Sequence, residues 1–315
     1  MELPEALVHI QRRGGTHRPI ILDGGLATQC EAMGCDISGH LWSAKLLRTD
    51  PDAIYRAHTA YLRAGAQIII SASYQVSRPG FRRASLRDED ADEALAASIA
   101  LARAARDDFA KETPSRTPAL VAASVGPYGA TLHDGSEYTG AYAINTAALR
   151  DFHRERLEIL DRSGADLLAC ETIPSLDEAR VLKELLQTAE TPAWVSFSCR
   201  DGRHISDGTP VDVAAALFRD HPNVFAVGVN CTAPNHVLDL VRRIHGAVPD
   251  MQIIAYPNSG ESYEADDNSW HGEALDASFP AQARAWHAAG ASIIGGCCRV
   301  GPAEIAKLKA LWREG

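Results

Sequence analysis

The sequence predicts an α/β fold, a (β/α)8 barrel formed as a single domain by residues 1–315. Short apolar runs alternate with amphipathic stretches of helical length along the whole chain, and no linker or break in composition divides them. One pattern occurs three times, at Gly65, Gly164 and Gly290: a helix ends, Gly-Ala follows, and an apolar strand begins. The length of 315 residues suits this fold, because such barrels typically need about 250 residues.

The predicted strands are short and mostly apolar, as expected for a parallel sheet that is covered on both faces. The first, residues 19–22, ends at the turn Asp23-Gly24-Gly25. The others are residues 68–70, 119–123, 167–168, 193–197, 224–229, 253–256 and 291–294. Together they supply the number of strands that closes a barrel of this kind.

The predicted helices carry start and stop signals. Asp50 as N-cap and Pro51 in the first turn begin a helix that ends at Gly65. Ser175 and Glu178 form a capping box at the start of a later helix. The later helices are predicted at residues 92–111, 147–163, 175–189, 211–218 and 235–244, and a last one begins at Pro302.

Two connections are longer than the rest, residues 128–145 and 259–279. Both are rich in Gly, Ser, Asp and aromatic residues. Loops at the carboxyl ends of barrel strands usually build or cover the active site, so this is the favoured interpretation, with a solvated surface loop as the alternative.

Composition and charge narrow the class of function. The formal net charge of -10 and the pI near 5.6 argue against nucleic acids and anionic membranes as partners, since both attract clustered Lys and Arg. Small molecules are the expected partners. Seven cysteines without a disulfide framework, behind an acidic N-terminus with no long apolar segment, predict a cytoplasmic protein. The sequence leaves the oligomeric state open, and a monomer is compatible with it.

Three cysteines are expected at strand ends. The last strand runs into Gly295-Gly296 and then Cys297 and Cys298, and the run over residues 224–229 stops at Asn230 and Cys231. Glycines allow a close approach of backbone and ligand, and three thiolates at neighbouring strand tips form a zinc site with one open position. Small-residue packing and a vicinal disulfide remain alternatives on spacing alone.

The other cysteines and the histidines carry weaker signals. Cys170 precedes Glu171 and is expected to face the opposite side of its strand as a buried thiol. Cys30, Cys35 and Cys199 have no partner motif, and no pair of histidines has the spacing of a helical zinc site. Cys231, Cys297 and Cys298 are therefore the candidate metal ligands.

These motifs together resemble the zinc-dependent homocysteine S-methyltransferases, in the branch that uses S-methylmethionine. The resemblance covers nearly the whole chain and includes the following segments in order: 22–25 with Glu31 and Gly34, 41–44, 124–129, 134–138, 169–172, 206–210, 229–231, 256–261 and 295–299. Cys30 departs from the family pattern, which commonly has a larger apolar residue there. The resemblance implies the same barrel fold.

The resemblance also implies roles for polar residues at strand ends. An acidic residue at such a turn could simply cap the next helix, but in this family Asp23 and Glu171 are expected to bind the ammonium group of homocysteine. Asn258 is expected to make a further polar contact. A zinc ion with three thiolates would carry a net charge of minus one and would bind homocysteine sulfur as a thiolate, which would then attack the methyl group of a sulfonium donor.

The expected donor is S-methylmethionine, accepted by a polar pocket near Tyr74, Asn258 and the loop after Asn258. S-adenosylmethionine, a bulkier sulfonium, or betaine is the alternative, and no G-x-G-x-x-G turn follows a strand, which excludes a Rossmann-type S-adenosylmethionine enzyme. A non-catalytic zinc-binding barrel is the competing class of function. Nearby carboxylates and an open metal position argue against it.

Overall fold

The computed structural model describes residues 7–8, 18–37, 43–132, 134–260, 262–264, 269–271 and 279–312. Its strands are β1 Ile20–Ile21, β2 Ile68–Ile70, β3 Leu120–Val125, β4 Leu167–Ile173, β5 Ala193–Phe197, β6 Val224–Asn230, β7 Gln252–Tyr256, β8 Ser262–Glu264, β9 Ser269–His271 and β10 Ala291–Ile294. Each of the eight predicted strands overlaps an observed one, although β4 extends well beyond the predicted residues 167–168. β8 and β9 form a separate antiparallel hairpin between β7 and β10.

The other eight strands form a parallel sheet that closes on itself. Their order around the wall is β1, β10, β7, β6, β5, β4, β3 and β2. A parallel bridge between Leu22 and Ile68 brings the first strand beside the second. Across the same seam, the Gln67 amide N–H donates to the Ile21 carbonyl at 2.7 Å. The prediction of a (β/α)8 barrel is confirmed.

Helices cover the outside of the barrel. They are α1 Leu26–Ala32, α2 Ser43–Thr49, α3 Pro51–Ala64, α4 Arg78–Arg83, α5 Asp88–Glu112, α6 Thr146–Asp161, α7 Leu176–Leu186, α8 Val211–Ala216, α9 Pro234–Ala247, α10 Phe279–Ala288 and α11 Pro302–Leu311. The start of α3 is as predicted, because the Asp50 side chain accepts from the Ala53 N–H at 3.1 Å. Its end is also as predicted, with Gly65 at φ 110°. Helices α1, α2 and α4 were not predicted; α2 and α4 are only seven and six residues long.

The predicted capping box of α7 is only half present. Ser175 Oγ accepts from the Glu178 N–H at 3.3 Å, as an N-cap does. The Glu178 carboxylate instead accepts from the Tyr128 N–H at 2.7 Å and contacts His153 Nε2 at 2.7 Å. Glu178 and His153 are fully buried, so this carboxylate joins α7 to α6 and to the loop after β3.

Two apolar clusters lie on opposite faces of the barrel wall. Leu167 and Ala169 of β4 pack inside the barrel, whereas Leu168 and Cys170 face the helices. The prediction that Cys170 is a buried thiol on the face opposite to Glu171 is confirmed. The interior cluster also includes inward side chains of other strands, among them Trp194, Ile68, Leu120, Ala122, Ile254, Tyr256 and Ile293. No helix in the described part of the chain combines the length and the apolar character needed to cross a membrane.

Candidate active site

A polar layer closes the carboxyl end of the barrel interior. Inward positions change from apolar to polar within two residues, so that Ser124 follows Ala122 and Glu171 follows Ala169. By the same alternation, Asn230 is the last inward residue of β6. The layer therefore occupies the end of the barrel at which the chemistry of this fold takes place.

Three thiols meet at this end. The Cys231 sulfur lies 2.7 Å from the Cys297 sulfur and 3.4 Å from that of Cys298, and the last two are 4.0 Å apart. Among the described residues this is the only group of three or more His, Cys, Asp or Glu side chains placed to hold a metal ion. The sulfur positions converge on one point, as the sequence predicted.

The sulfur distances fit a metal site better than the alternatives. All three pairs are longer than the S–S bond of a disulfide, about 2.05 Å. Tetrahedral thiolate ligands at a metal–sulfur distance of about 2.3 Å stand about 3.8 Å apart, so two of the distances are close to that geometry. Cys231 and Cys297 would separate by about 1 Å to reach it. The three thiols could therefore bind one metal ion.

The three thiols differ in the direction in which their pKa is shifted. Hydrogen bonds from Cys297 and Cys298 hold the pKa of Cys231 well below its usual range. The same hydrogen bonds with Cys231 raise the pKa of Cys297 and of Cys298. One thiolate is therefore stabilised by two protonated neighbours, and a bound cation would let all three ionise.

Backbone geometry explains why glycines precede the cysteines. A Cβ on Gly295 would lie 2.6 Å from the Leu22 side chain, and one on Gly296 would lie 2.2 Å from Val300. Any larger residue would push the segment away from the barrel. Cys231 itself has φ 46°, a conformation that non-glycine residues rarely adopt and that is often found at functional sites.

Glu171 lies in the polar layer with both oxygens engaged. Oε1 accepts from the Ser124 hydroxyl, and Oε2 accepts from the Tyr256 hydroxyl at 3.1 Å. Burial raises the pKa of Glu171 to about 7, even though both hydrogen bonds favour the ionised form. Its charge is therefore sensitive to any cation that enters the site.

Asp23 is buried at the end of β1 and does not cap α1. Its Oδ2 accepts from the Ile70 N–H at 2.8 Å, across the seam of the barrel. Its Oδ1 is buried and has no hydrogen-bond partner among the described residues. Burial, with a contribution from Glu171, raises the pKa of Asp23 well above its usual range. A buried oxygen of this kind can accept a hydrogen bond from a ligand.

The sequence that forms this barrel matches a known protein family. The sequence profile of a family described as homocysteine S-methyltransferase matches residues 20–312.

The chain belongs to the homocysteine S-methyltransferase family.

Homocysteine S-methyltransferase YbgG from Bacillus subtilis (strain 168) is 44% identical, over 97% of this chain and 98% of its own length. The structure is also similar to the crystal structure of the homocysteine methyltransferase MmuM from Escherichia coli in its metallated form, with a TM-score of 0.86 at 42% identity. That match covers 97% of this chain and 98% of the MmuM chain. The crystal structure of the oxidised form of MmuM has a TM-score of 0.85 at 43% identity. That match covers 98% of this chain and 99% of the MmuM chain.

Family membership confirms the resemblance drawn from the sequence. This homocysteine S-methyltransferase is an enzyme that methylates the sulfur of homocysteine, and its substrates are small molecules. The three cysteines predicted at strand ends lie together at the carboxyl end of the barrel.

The predicted site residues of this homocysteine S-methyltransferase are not all in one cavity. Tyr74, Glu171, Cys231, Cys297 and Cys298 line it. Asp23 itself does not line the cavity, but its chain neighbour Gly24 and its hydrogen-bond partner Ile70 both do. Asn258 does not line the cavity, and its Oδ1 accepts from the Gly260 N–H at 3.0 Å.

Several cavity residues were missed by the sequence argument, among them Gln75, Glu137, Tyr138 and Thr172. Glu137 is 5% exposed, and burial raises its pKa to about 7. Glu137 and Tyr138 belong to the connection over residues 128–145, whose prediction as a site-building loop is confirmed. Most of the connection over 259–279 lies outside the described residues.

Proposed function

We propose that the chain transfers a methyl group from S-methylmethionine to homocysteine, with a zinc ion held by Cys231, Cys297 and Cys298. The observation that carries this proposal is the meeting of three thiols and two buried carboxylates at one end of the barrel. Soft thiolates suit zinc, and three protein ligands leave one position for a substrate, as in catalytic zinc sites. When bound, zinc would keep the homocysteine sulfur ionised near neutral pH.

Asp23 and Glu171 would orient homocysteine through its ammonium group. The Oδ1 of Asp23, which has no partner among the described residues, is an acceptor for one N–H, and Glu171 supplies a second buried carboxylate. A bound cation lowers the pKa of both carboxyls, so each would ionise as the amino acid enters. The chain thus holds the acceptor by its two ends, the amino group and the sulfur.

The methyl transfer needs no general base at the methyl carbon. The ionised homocysteine sulfur forms a bond to the methyl carbon while the bond from that carbon to the sulfonium sulfur breaks. The leaving sulfur keeps the electron pair and becomes a neutral thioether, so S-methylmethionine and homocysteine each become methionine. Positioning within the barrel supplies much of the rate, since both reactants are held in line.

The aromatic rings of the cavity suit a cationic donor. Tyr138 places its hydroxyl 3.8 Å from the Cys231 sulfur, and Tyr74 lines the same cavity. Electron-rich ring faces attract a sulfonium in the way they attract other cations.

A competition assay decides the donor. With methyl-labelled S-methylmethionine, S-adenosylmethionine, betaine and methyl-folate at equal concentrations, we expect label in methionine to come mainly from S-methylmethionine. Size discrimination is typically worth about 1 to 3 kcal/mol, so a several-fold preference over S-adenosylmethionine is expected. Label mainly from betaine or methyl-folate would overturn the proposal, and label mainly from S-adenosylmethionine would overturn the ranking.

The remaining predictions concern the protein in the cell. We propose that it acts in the cytoplasm as one domain over residues 1–315, without nucleic acid or membrane partners and with a monomer as the starting hypothesis. Sedimentation of the purified protein tests the oligomeric state directly. A mass of twice the 33.9 kDa chain would contradict the monomer.

A further inference from the structure

A second pair of free acceptor oxygens lies in the same cavity, on the side formed by the loop after β3. Glu137 Oε2 and Gln75 Oε1 are buried, and neither has a hydrogen-bond partner in the described part of the chain. Both residues line the cavity that contains the three thiols. Buried acceptors without partners are costly, so their retention beside a substrate cavity points to a ligand that donates to them.

The backbone around Glu137 is held firmly. Its carbonyl accepts from Ser198 Oγ at 3.1 Å, which ties the loop to the end of β5. A Cβ on Gly129 would lie 2.6 Å from the Glu137 nitrogen, so the two turns of the loop are in close contact. The backbone of Glu137 is thereby fixed, while its Oε2 has no partner among the described residues.

Gln75 is anchored to the same loop. Its Nε2 donates to the Ala130 carbonyl at 3.3 Å, and its Oε1 has no partner among the residues that the structure describes. Ala130 belongs to the turn that packs against Glu137. The two free oxygens therefore belong to one structural unit, separate from Asp23 at the end of β1 and Glu171 at the end of β4.

We propose that Glu137 and Gln75 bind the α-ammonium group of the methyl donor. An ammonium offers three N–H donors and a positive charge, which satisfies a carboxylate oxygen and an amide oxygen together. A sulfonium has no N–H group and would leave both oxygens without hydrogen bonds. This assignment rests on the proposed function, in which Asp23 and Glu171 bind the ammonium of homocysteine and a second amino acid must be held nearby.

The charge of Glu137 would also select among donors. S-methylmethionine and S-adenosylmethionine both carry an amino-acid end and a net positive charge, whereas betaine carries no N–H group and no net charge. A buried carboxylate therefore favours the first two over betaine. The loop after β3, rather than the metal site, would then determine which class of donor is used.

The variant Glu137→Gln tests this role, because it keeps the shape of the side chain and removes its charge. We expect kcat/KM for S-methylmethionine to fall about 10- to 100-fold through a higher KM, the range for a charge-assisted hydrogen bond, with KM for homocysteine unchanged. Asp134→Asn is the matched control, since it makes the same charge change at an exposed position of the same loop and should leave both constants unchanged.

A methyl donor that lacks the amino group shows whether Glu137→Gln acts through recognition of the ammonium group or through a general loss of activity. With the dimethylsulfonio analogue of butanoate, the wild-type protein and Glu137→Gln should have equal rates, and calorimetry should show equally weak binding of the analogue to both. Equal losses with both donors, or a raised KM for homocysteine instead, would overturn the proposal.

The same measurements distinguish a failure of the proposed function from a failure of the Glu137 assignment. If the wild-type protein used only S-adenosylmethionine, the donor ranking would fail, yet Glu137→Gln should still raise KM for that donor because it has the same amino-acid end. If the wild-type protein used S-methylmethionine and Glu137→Gln left its KM unchanged, the proposed function would stand and this inference would be wrong.

Discussion

Asn230 and Thr172 are joined by two hydrogen bonds between the ends of β6 and β4. The Thr172 N–H donates to Asn230 Oδ1 at 2.7 Å, and Asn230 Nδ2 donates to Thr172 Oγ1 at 2.7 Å. Glu171 and Cys231 are the chain neighbours of these two residues, and both Thr172 and Cys231 have positive φ, at 60° and 46°. The pair therefore holds two strained strand ends that carry a carboxylate and a thiol.

Replacing Asn230 by Ala should weaken catalysis as well as stability. The variant removes both bonds to Thr172 and the bond from Ser196 Oγ to Asn230 Oδ1, and this loss among buried groups costs about 1 to 3 kcal/mol of unfolding free energy. Displacement of Cys231 and Glu171 by about 1 Å should lower kcat/KM by about 100-fold. Chemical denaturation and steady-state kinetics measure the two effects.

Asn223→Ala is the matched control for this variant. Asn223 lies just before the start of β6, and its Nδ2 donates to the carbonyls of Leu186 at 2.9 Å and Ala189 at 2.8 Å, far from the carboxyl end of the strand. It should lower stability by a similar amount with kcat/KM unchanged. Equal kinetic losses in the two variants would show that Asn230 acts only through general stability.

Cys298→Ser should remove the metal and the activity while the barrel stays folded. The apolar core does not depend on this side chain, whereas a metal site with two thiolates and a hydroxyl binds zinc much more weakly. Elemental analysis and circular dichroism report metal content and folding. Cys35→Ser, at a half-buried thiol outside the cluster, should retain the metal, and full retention in Cys298→Ser would contradict the ligand assignment.

Neutral variants of the two buried carboxylates should weaken homocysteine binding. Asp23→Asn and Glu171→Gln keep the side-chain shape but lose the charge, so each should raise KM for homocysteine by a factor equivalent to about 1.5 to 3 kcal/mol. Metal content should stay the same, as measured by elemental analysis. Loss of metal with unchanged KM would mean that these carboxylates support the thiols instead.

His58 should make the protein less stable in acid. It is fully buried in α3, neither ring nitrogen has a partner among the described residues, and burial lowers its pKa from 6.5 to about 4. The unfolded chain therefore binds more protons between these pH values. Its contribution to unfolding free energy should fall by about 3 kcal/mol as the pH decreases from about 6.5 to about 4.

His58→Leu should remove that part of the pH dependence, because an apolar side chain of similar size has no proton to bind. Denaturant titrations at a series of pH values measure it, with His245→Leu at an exposed position as the control. An unchanged slope in His58→Leu would show that other groups cause the loss of stability in acid.

The location of the thiol site could be predicted from the sequence alone. Cys231, Cys297 and Cys298 each follow an apolar run, and the topology of a parallel barrel brings the carboxyl ends of all strands to one face. The same alternation of inward and outward residues placed Glu171 inside the barrel and Cys170 outside. These inferences need only local sequence patterns and the rule that all strands of a parallel barrel end on the same face.

Only the tertiary structure decided which polar atoms are free inside the cavity. Glu137 and Gln75 are far apart in the chain, and their approach depends on how the loop after β3 packs against the end of β5. The carboxylate of Glu178, predicted to cap its own helix, bonds to a different loop and helix. Asn258 follows a strand as predicted, yet it does not line the cavity, and its Oδ1 accepts from the Gly260 N–H. Long-range packing sets each of these orientations, because a side chain at a strand end or in a loop has several low-energy directions and local sequence does not choose among them.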